Sequence, residues 1–243
     1  MTVISVHSPK GGSGTTLIAA RLAMSFAGRG RPVTLIDYTR QDTLKLHFGM
    51  VPSQTIQPWQ GAEADAPVIG GVRLVKGYGS RMAAEQLVQD FSGGDTSQLF
   101  IFDISSSNLE LRHEISRFAD FNLCVLEPSP ADLTSLTLLD EGQSIRELQN
   151  FGVVLNRVDE QYKLSRHCRR FLAELLGEQY FGIVRRDEAV NEALAQFEVL
   201  EKFAPQSVVL RDVTALTNMI EAHLKGEPGV STEGADTATR RAV

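Results

Sequence analysis

The chain has 243 residues, 42% hydrophobic and 22% charged, with a formal net charge of −6. That length and composition fit one large soluble α/β domain, and the acidic balance argues against a dominant nucleic-acid footprint, though a local basic patch stays open. No stretch is apolar for long enough to cross a bilayer, and the entry into a strand at the start leads us to expect no signal peptide. The expected location is therefore the cytoplasm, with any membrane or polar association through a partner or a surface helix. Cys124 and Cys168 lack metal-ligand spacing and read as reduced thiols.

Val3, Ile4 and Val6 alternate as in a buried strand, and Leu17 to Phe26 is an Ala-rich run with helical spacing. Between them lies Ser8-Pro9-Lys10-Gly11-Gly12-Ser13-Gly14-Thr15-Thr16. A strand, a Gly-rich loop and a helix are the context of a phosphate-binding loop. Gly11, Gly12 and Gly14 permit a tight bend that turns N–H groups toward an anion, and the helix start adds its positive dipole end. Lys10, Gly11, Gly12, Ser13, Gly14, Thr15 and Thr16 are thus the candidate phosphate cradle, with Thr16 where such loops place the hydroxyl that binds Mg²⁺. The motif GxxxxGK[ST] asks for Lys where Thr15 stands. A charge-assisted contact is worth about 1.5–3 kcal/mol, so its loss should weaken phosphate binding by about one to two decades unless another cation serves; Lys10 is the obvious one. A Gly-rich turn without ligand is the bland alternative.

Pro32 to Asp37 reads as a second buried strand, parallel to the first through a right-handed crossover. Asp37 is either a catalytic switch residue near Mg²⁺-bound water or a strand-end carboxylate capping a turn. Residues 49–71 form an irregular excursion in which Trp59 reads as a packing anchor. Val72 to Val75 follow as a short strand and Met82 to Phe91 as a helix. Leu99 to Asp103 is an apolar strand closing on a carboxylate, the arrangement that holds Mg²⁺ through water; Ile104-Ser-Ser-Ser107 after it reads as flexible. Phe121 to Leu126 is the next strand, followed by a helix from about Ala131 to Leu148, whose Asp132 suits the helix dipole. Gly152 to Asn156 is a strand ending in an amide.

Leu164 to Leu176 reads as an amphipathic helix with Arg166, His167, Arg169 and Arg170 on its polar side. With Arg185 and Arg186 these form either a basic patch for an acidic partner, phospholipid or DNA, or a solvated face. Phe181 to Val184 is a short strand leading into a helix ending near Phe197. Val208 to Leu224 is a last helix with Leu216, Met219, Ile220 and Leu224 on one side and no cationic-aromatic membrane anchor. Residues 225–243 read as a disordered tail behind a nucleotide-binding domain of residues 1–224. Strands alternating with helices predict a doubly wound, mostly parallel sheet covered on both faces, with the ligand at the carboxyl ends of the strands. Lys10, Asp37, Asp103 and Asn156 all fall at or just beyond such ends.

The loop Lys10 to Thr16, the strand-terminal Asp103, Asn156 and Ala204-Pro205-Gln206-Ser207 together resemble the MinD/ParA family of deviant Walker A P-loop ATPases, over roughly residues 1–224. The resemblance implies ATP and Mg²⁺ as ligands and a homodimer across bound nucleotide, in which Lys10 reaches the partner's phosphates. It also implies adenine contact by Asn156 and backbone contacts to the base near Arg185. Two departures stand out. The family loop carries a second lysine where Thr15 stands, and the family's Asp-x-Asp, whose second carboxylate lies near the attacking water, is Asp37-Tyr38-Thr39; Asp42 is out of register. Both departures, with Arg185-Arg-Asp-Glu188, resemble the BcsQ branch of cellulose-secretion accessory proteins. The expectation is weak or absent hydrolysis and partners in the inner-membrane cellulose synthase complex. The alternative is a partition or pilus-positioning ATPase that binds DNA or a polar landmark.

Overall fold

The computed structural model describes residues 1–59, 66–80, 83–92, 96–136, 148 and 150–227. Its strands are β1 Thr2–His7, β2 Val33–Tyr38, β3 Val68–Ile69, β4 Val72–Lys76, β5 Leu99–Ile104, β6 Phe121–Leu126, β7 Phe151–Val158 and β8 Tyr180–Arg185. They form one sheet in the order β3-β4-β2-β5-β1-β6-β7-β8. Every neighbouring pair is parallel except β3–β4. Every residue of β2, β5 and β6 is buried, as expected for parallel strands covered on both faces, which read as apolar runs rather than alternations. The order reverses at β1, so the crevice of this doubly wound sheet lies beyond the carboxyl end of its central strand.

Among the described residues the α-helices are α1 Thr15–Gly28, α2 Ala84–Ser92, α3 Leu109–Ser116, α4 Pro130–Ser135, α5 Lys163–Leu176, α6 Ala189–Ala195, α7 Leu200–Phe203 and α8 Val208–Leu224. Successive strand residues point to opposite faces. Ile4 and Val6 accordingly join a core built with α1, α6, α7 and α8. Val3 joins one with α2 and α3 on the opposite face, while Cys124, Val153 and Leu155 pack with α5. Helix α1 is clamped from outside the sheet. Its buried Arg21 pairs with Glu201 of α7 at 2.5 Å and donates to the His47 carbonyl at 2.6 Å.

The last helix has the predicted bounds, and Trp59 is buried beside Tyr38 and Val75. Strand β7, in contrast, continues two residues past Asn156, with Arg157 at φ +54° inside it. Helices α3 and α7 were not anticipated, although Asn108 caps α3 by accepting from the Leu111 N–H, a start signal readable from sequence. Of the helix expected over 131–148, α4 and Leu136 are seen; 137–147 lie outside the described residues, as do Met82 and positions 228–243 of the expected tail.

Candidate functional site: a glycine loop facing a buried carboxylate

A cavity of about 860 Å³ opens at the carboxyl ends of the strands. One wall is the turn between β1 and α1. Gly12 and Gly14 adopt φ +93° and +82°, which L side chains rarely tolerate, and Gly14 also has no room. A Cβ there would overlap the Asn156 amide nitrogen. Gly14 is the N-cap of α1 and supplies no capping side chain, so the first amides of the helix face the cavity as an anion site. Lys10, Gly11, Gly12, Gly14, Thr15 and Thr16 all line the cavity. Ser13 is turned inward and buried, donating to Asp132 at 3.0 Å. Lys10 is not free either: its ammonium donates to Asp132 at 3.1 Å.

The floor is made by Asp103 of β5, which lies in register with Asp37 on the adjacent strand β2. Asp103 lines the cavity and is fully buried, and neither carboxylate oxygen completes a hydrogen bond. Burial first, then the Asp37 charge, push its pKa up to about 8, while the Thr16 hydroxyl beside it works the other way. Asp37 accepts the Thr39 N–H at 2.7 Å and is also raised by burial; Thr39 and Asp103 line the cavity and Asp37 does not. A buried carboxylate with empty lone pairs, a threonine hydroxyl and an anion cradle fit a Mg²⁺ ion bound to nucleotide phosphate. No cluster of three or more His, Cys, Asp or Glu that could cage a metal occurs among the described residues. Asp42 is committed elsewhere, at 2.7 Å from Lys45 and 3.0 Å from Lys76, and cannot replace the carboxylate missing at Thr39.

The opposite wall comes from β7 and β8. Asn156 is buried and its amide donates to the Ser13 carbonyl at 2.9 Å, leaving its own oxygen without a partner. Next to it Arg157 clasps the loop, donating to the Gly12 carbonyl at 2.9 Å and to Glu127 at 2.5 Å. Arg185 lines the cavity, but its guanidinium is held in a two-pronged pair with Asp212 at 2.9 and 2.5 Å, and its backbone N–H goes to the same carboxylate. The basic face of α5 is partly spoken for: Arg166 donates to the Glu160 and Gln161 carbonyls and Arg169 pairs with Glu160.

Residues 4–200 match the model of the CobQ/CobB/MinD/ParA nucleotide binding domain. The chain belongs to this family. It is 25% identical over 231 residues to the antiactivator FleN of Pseudomonas aeruginosa, covering 84% of this chain and 81% of that protein. Among solved structures it resembles the MinC:MinD cell division complex of Aquifex aeolicus, with a TM-score of 0.75 at 15% identity, covering 94% of this chain and 97% of that one. A second is an ATP complex of a Cyanothece McdA variant, with a TM-score of 0.65 at 20% identity and coverage of 95% and 98%. The family accounts for the sheet and the loop. Sequence reasoning missed three site residues, Asp132, Glu127 and Arg157. The first was read only as a dipole partner, and the other two carry no motif; only the adjacency of β1, β6 and β7 brings them to the loop. Among the described residues no helix is long and apolar enough to cross a membrane.

Proposed function

We propose that the chain is an ATP- and Mg²⁺-binding switch that dimerises across its nucleotide and hydrolyses it slowly, acting as an assembly or positioning factor. The observation that carries this reading is Asp103, a buried carboxylate with both oxygens unpaired, facing Thr16 and the glycine loop. Mg²⁺, when bound, would neutralise phosphate charge. The chain's own part is to hold it through Thr16 and Asp103, to cradle the phosphates with the amides of 11–16, and to frame the base between Asn156 and the backbone near Arg185. Slow turnover follows from Thr15 and Thr39, which remove a phosphate-binding cation and a water-orienting carboxylate. Binding energy then stabilises the dimer.

For the partner, the same two departures and Arg185-Arg-Asp-Glu188 favour the BcsQ branch, hence the inner-membrane cellulose synthase machinery, with the protein in the cytoplasm and recruited through that partner. Titration calorimetry with Mg·ATP, paired with light scattering in a non-hydrolysable analogue, tests the switch. Micromolar binding with a doubling of mass is expected; no heat at saturating ligand would leave only the architecture. Co-purification of tagged protein with cellulose synthase subunits from membranes tests the partner. The partition reading predicts salt-sensitive DNA affinity in the Arg166/Arg169/Arg170 face. The engagement of Arg166 and Arg169 by the 160–161 turn weighs against it, and a gel-shift at low salt with and without ATP is the check.

A further inference from the structure

Asp132 has no accessible surface yet gathers four donors from three segments. One oxygen accepts from Ser13 at 3.0 Å and from the Glu127 N–H at 3.3 Å; the other accepts from Lys10 at 3.1 Å and from the Ser129 hydroxyl. Burial alone would raise its pKa, but the hydrogen bonds from Ser129, Lys10, Glu127 and Ser13 hold it below the usual carboxylate range. It therefore carries its charge in the folded chain and sits at the junction of the loop, the end of β6 and the start of α4.

We propose that Asp132 is the positioning residue for Lys10, holding its ammonium at the cavity rim in the direction needed to reach the nucleotide of a second copy of this chain; this rests on the dimerising-switch reading above. An ammonium has three N–H donors, and Asp132 takes one. The Lys10 side chain stays 45% exposed, so the contact orients the lysine without hiding it. A free lysine loses more rotamer freedom on being fixed than almost any other side chain. Asp132 removes much of that cost before the partner arrives. Because its other oxygen grips Ser13 inside the cradle, one carboxylate indexes both the loop and the lysine.

The test is sedimentation of the full chain in Mg²⁺ and a non-hydrolysable ATP analogue, for wild type, Lys10→Ala, Asp132→Asn and the double variant, with calorimetric nucleotide affinity measured on the same samples. Asp132→Asn keeps the shape and removes the charge. It is expected to weaken dimerisation about tenfold, and to add nothing once Lys10 is absent. Ser129→Ala disturbs the same helix start but keeps the carboxylate, and is expected to lose less. Asp132→Asn dimers as tight as wild type, an equal loss in the Lys10→Ala background, or an equal loss in Ser129→Ala would each overturn the assignment. Wild type that binds ATP and stays monomeric would defeat the dimerising switch instead. The hold on Lys10 is then read alone from its acetylation rate in nucleotide-free chain by mass spectrometry. Several-fold faster labelling in Asp132→Asn is expected, and equal rates would refute that hold.

Discussion

Burial, and then the neighbouring Asp37 charge, push the Asp103 carboxyl up to about 8 from its ordinary 3.8. Between those values the folded chain keeps a proton that the unfolded chain has lost. Stability of the metal-free protein should therefore fall as pH rises through that window and level off above it. Asp103→Asn removes this contribution, so its melting temperature should gain on wild type as pH rises from about 5 to 8 while Mg²⁺-dependent ATP binding is lost; a fluorescence-monitored melt series checks both directions. Asn156 offers a second single-residue test. Its amide ties β7 to the Ser13 carbonyl, and truncation to Ala strands a buried acceptor at about 1–2 kcal/mol. The expected result is that loss in urea melts together with weaker ATP binding by calorimetry. If only stability falls, Asn156 braces the loop and does not read the base.

Between elements, β7 passes close to both β6 and β8 at Gly152. A Cβ on Gly152 would overlap the Phe181 ring and meet the Phe121 ring at 2.6 Å. Gly152→Ala should cost about 2 kcal/mol through overpacking and lower the melting temperature by about 5 °C, as differential scanning calorimetry would show. This contrasts with what the sequence made legible. Strand β5 announces itself as an apolar run closing on Asp103, β2 and β6 as apolar runs interrupted by Thr34 and Asn122, and α8 by Leu216, Met219, Ile220 and Leu224 on one side. The loop and Asp103 are legible for the same reason: their chemistry is local. Lys10 and Asp132 are 122 residues apart and meet only because β1 and β6 are neighbours. Arg157 and Glu127 likewise depend on β6 lying beside β7. Arg185 lines the cavity, but the pairing of its side chain with Asp212 was not legible because it is set by where α8 lands.

At the scale of the molecule, two imidazoles are buried without charge. Burial and nearby arginines, Arg112 for His7 and Arg21 for His47, lower both to about 3. Below about pH 6.5 the unfolded chain takes up protons that the folded chain refuses, so stability should fall as pH drops from about 6.5 toward 3. A His47→Gln variant should show a shallower acid limb in urea midpoints measured across that range, provided it folds.

Helix α8 packs against α1 and reaches it through Thr217 and Ser25, 192 positions apart. The apolar flank of α1 is thus completed only by a segment made some 192 positions later. A chain arrested before about residue 208 carries the glycine turn but lacks the backing that fixes it. Truncation ahead of that point should therefore loosen the glycine turn from a distance, without touching any residue of it.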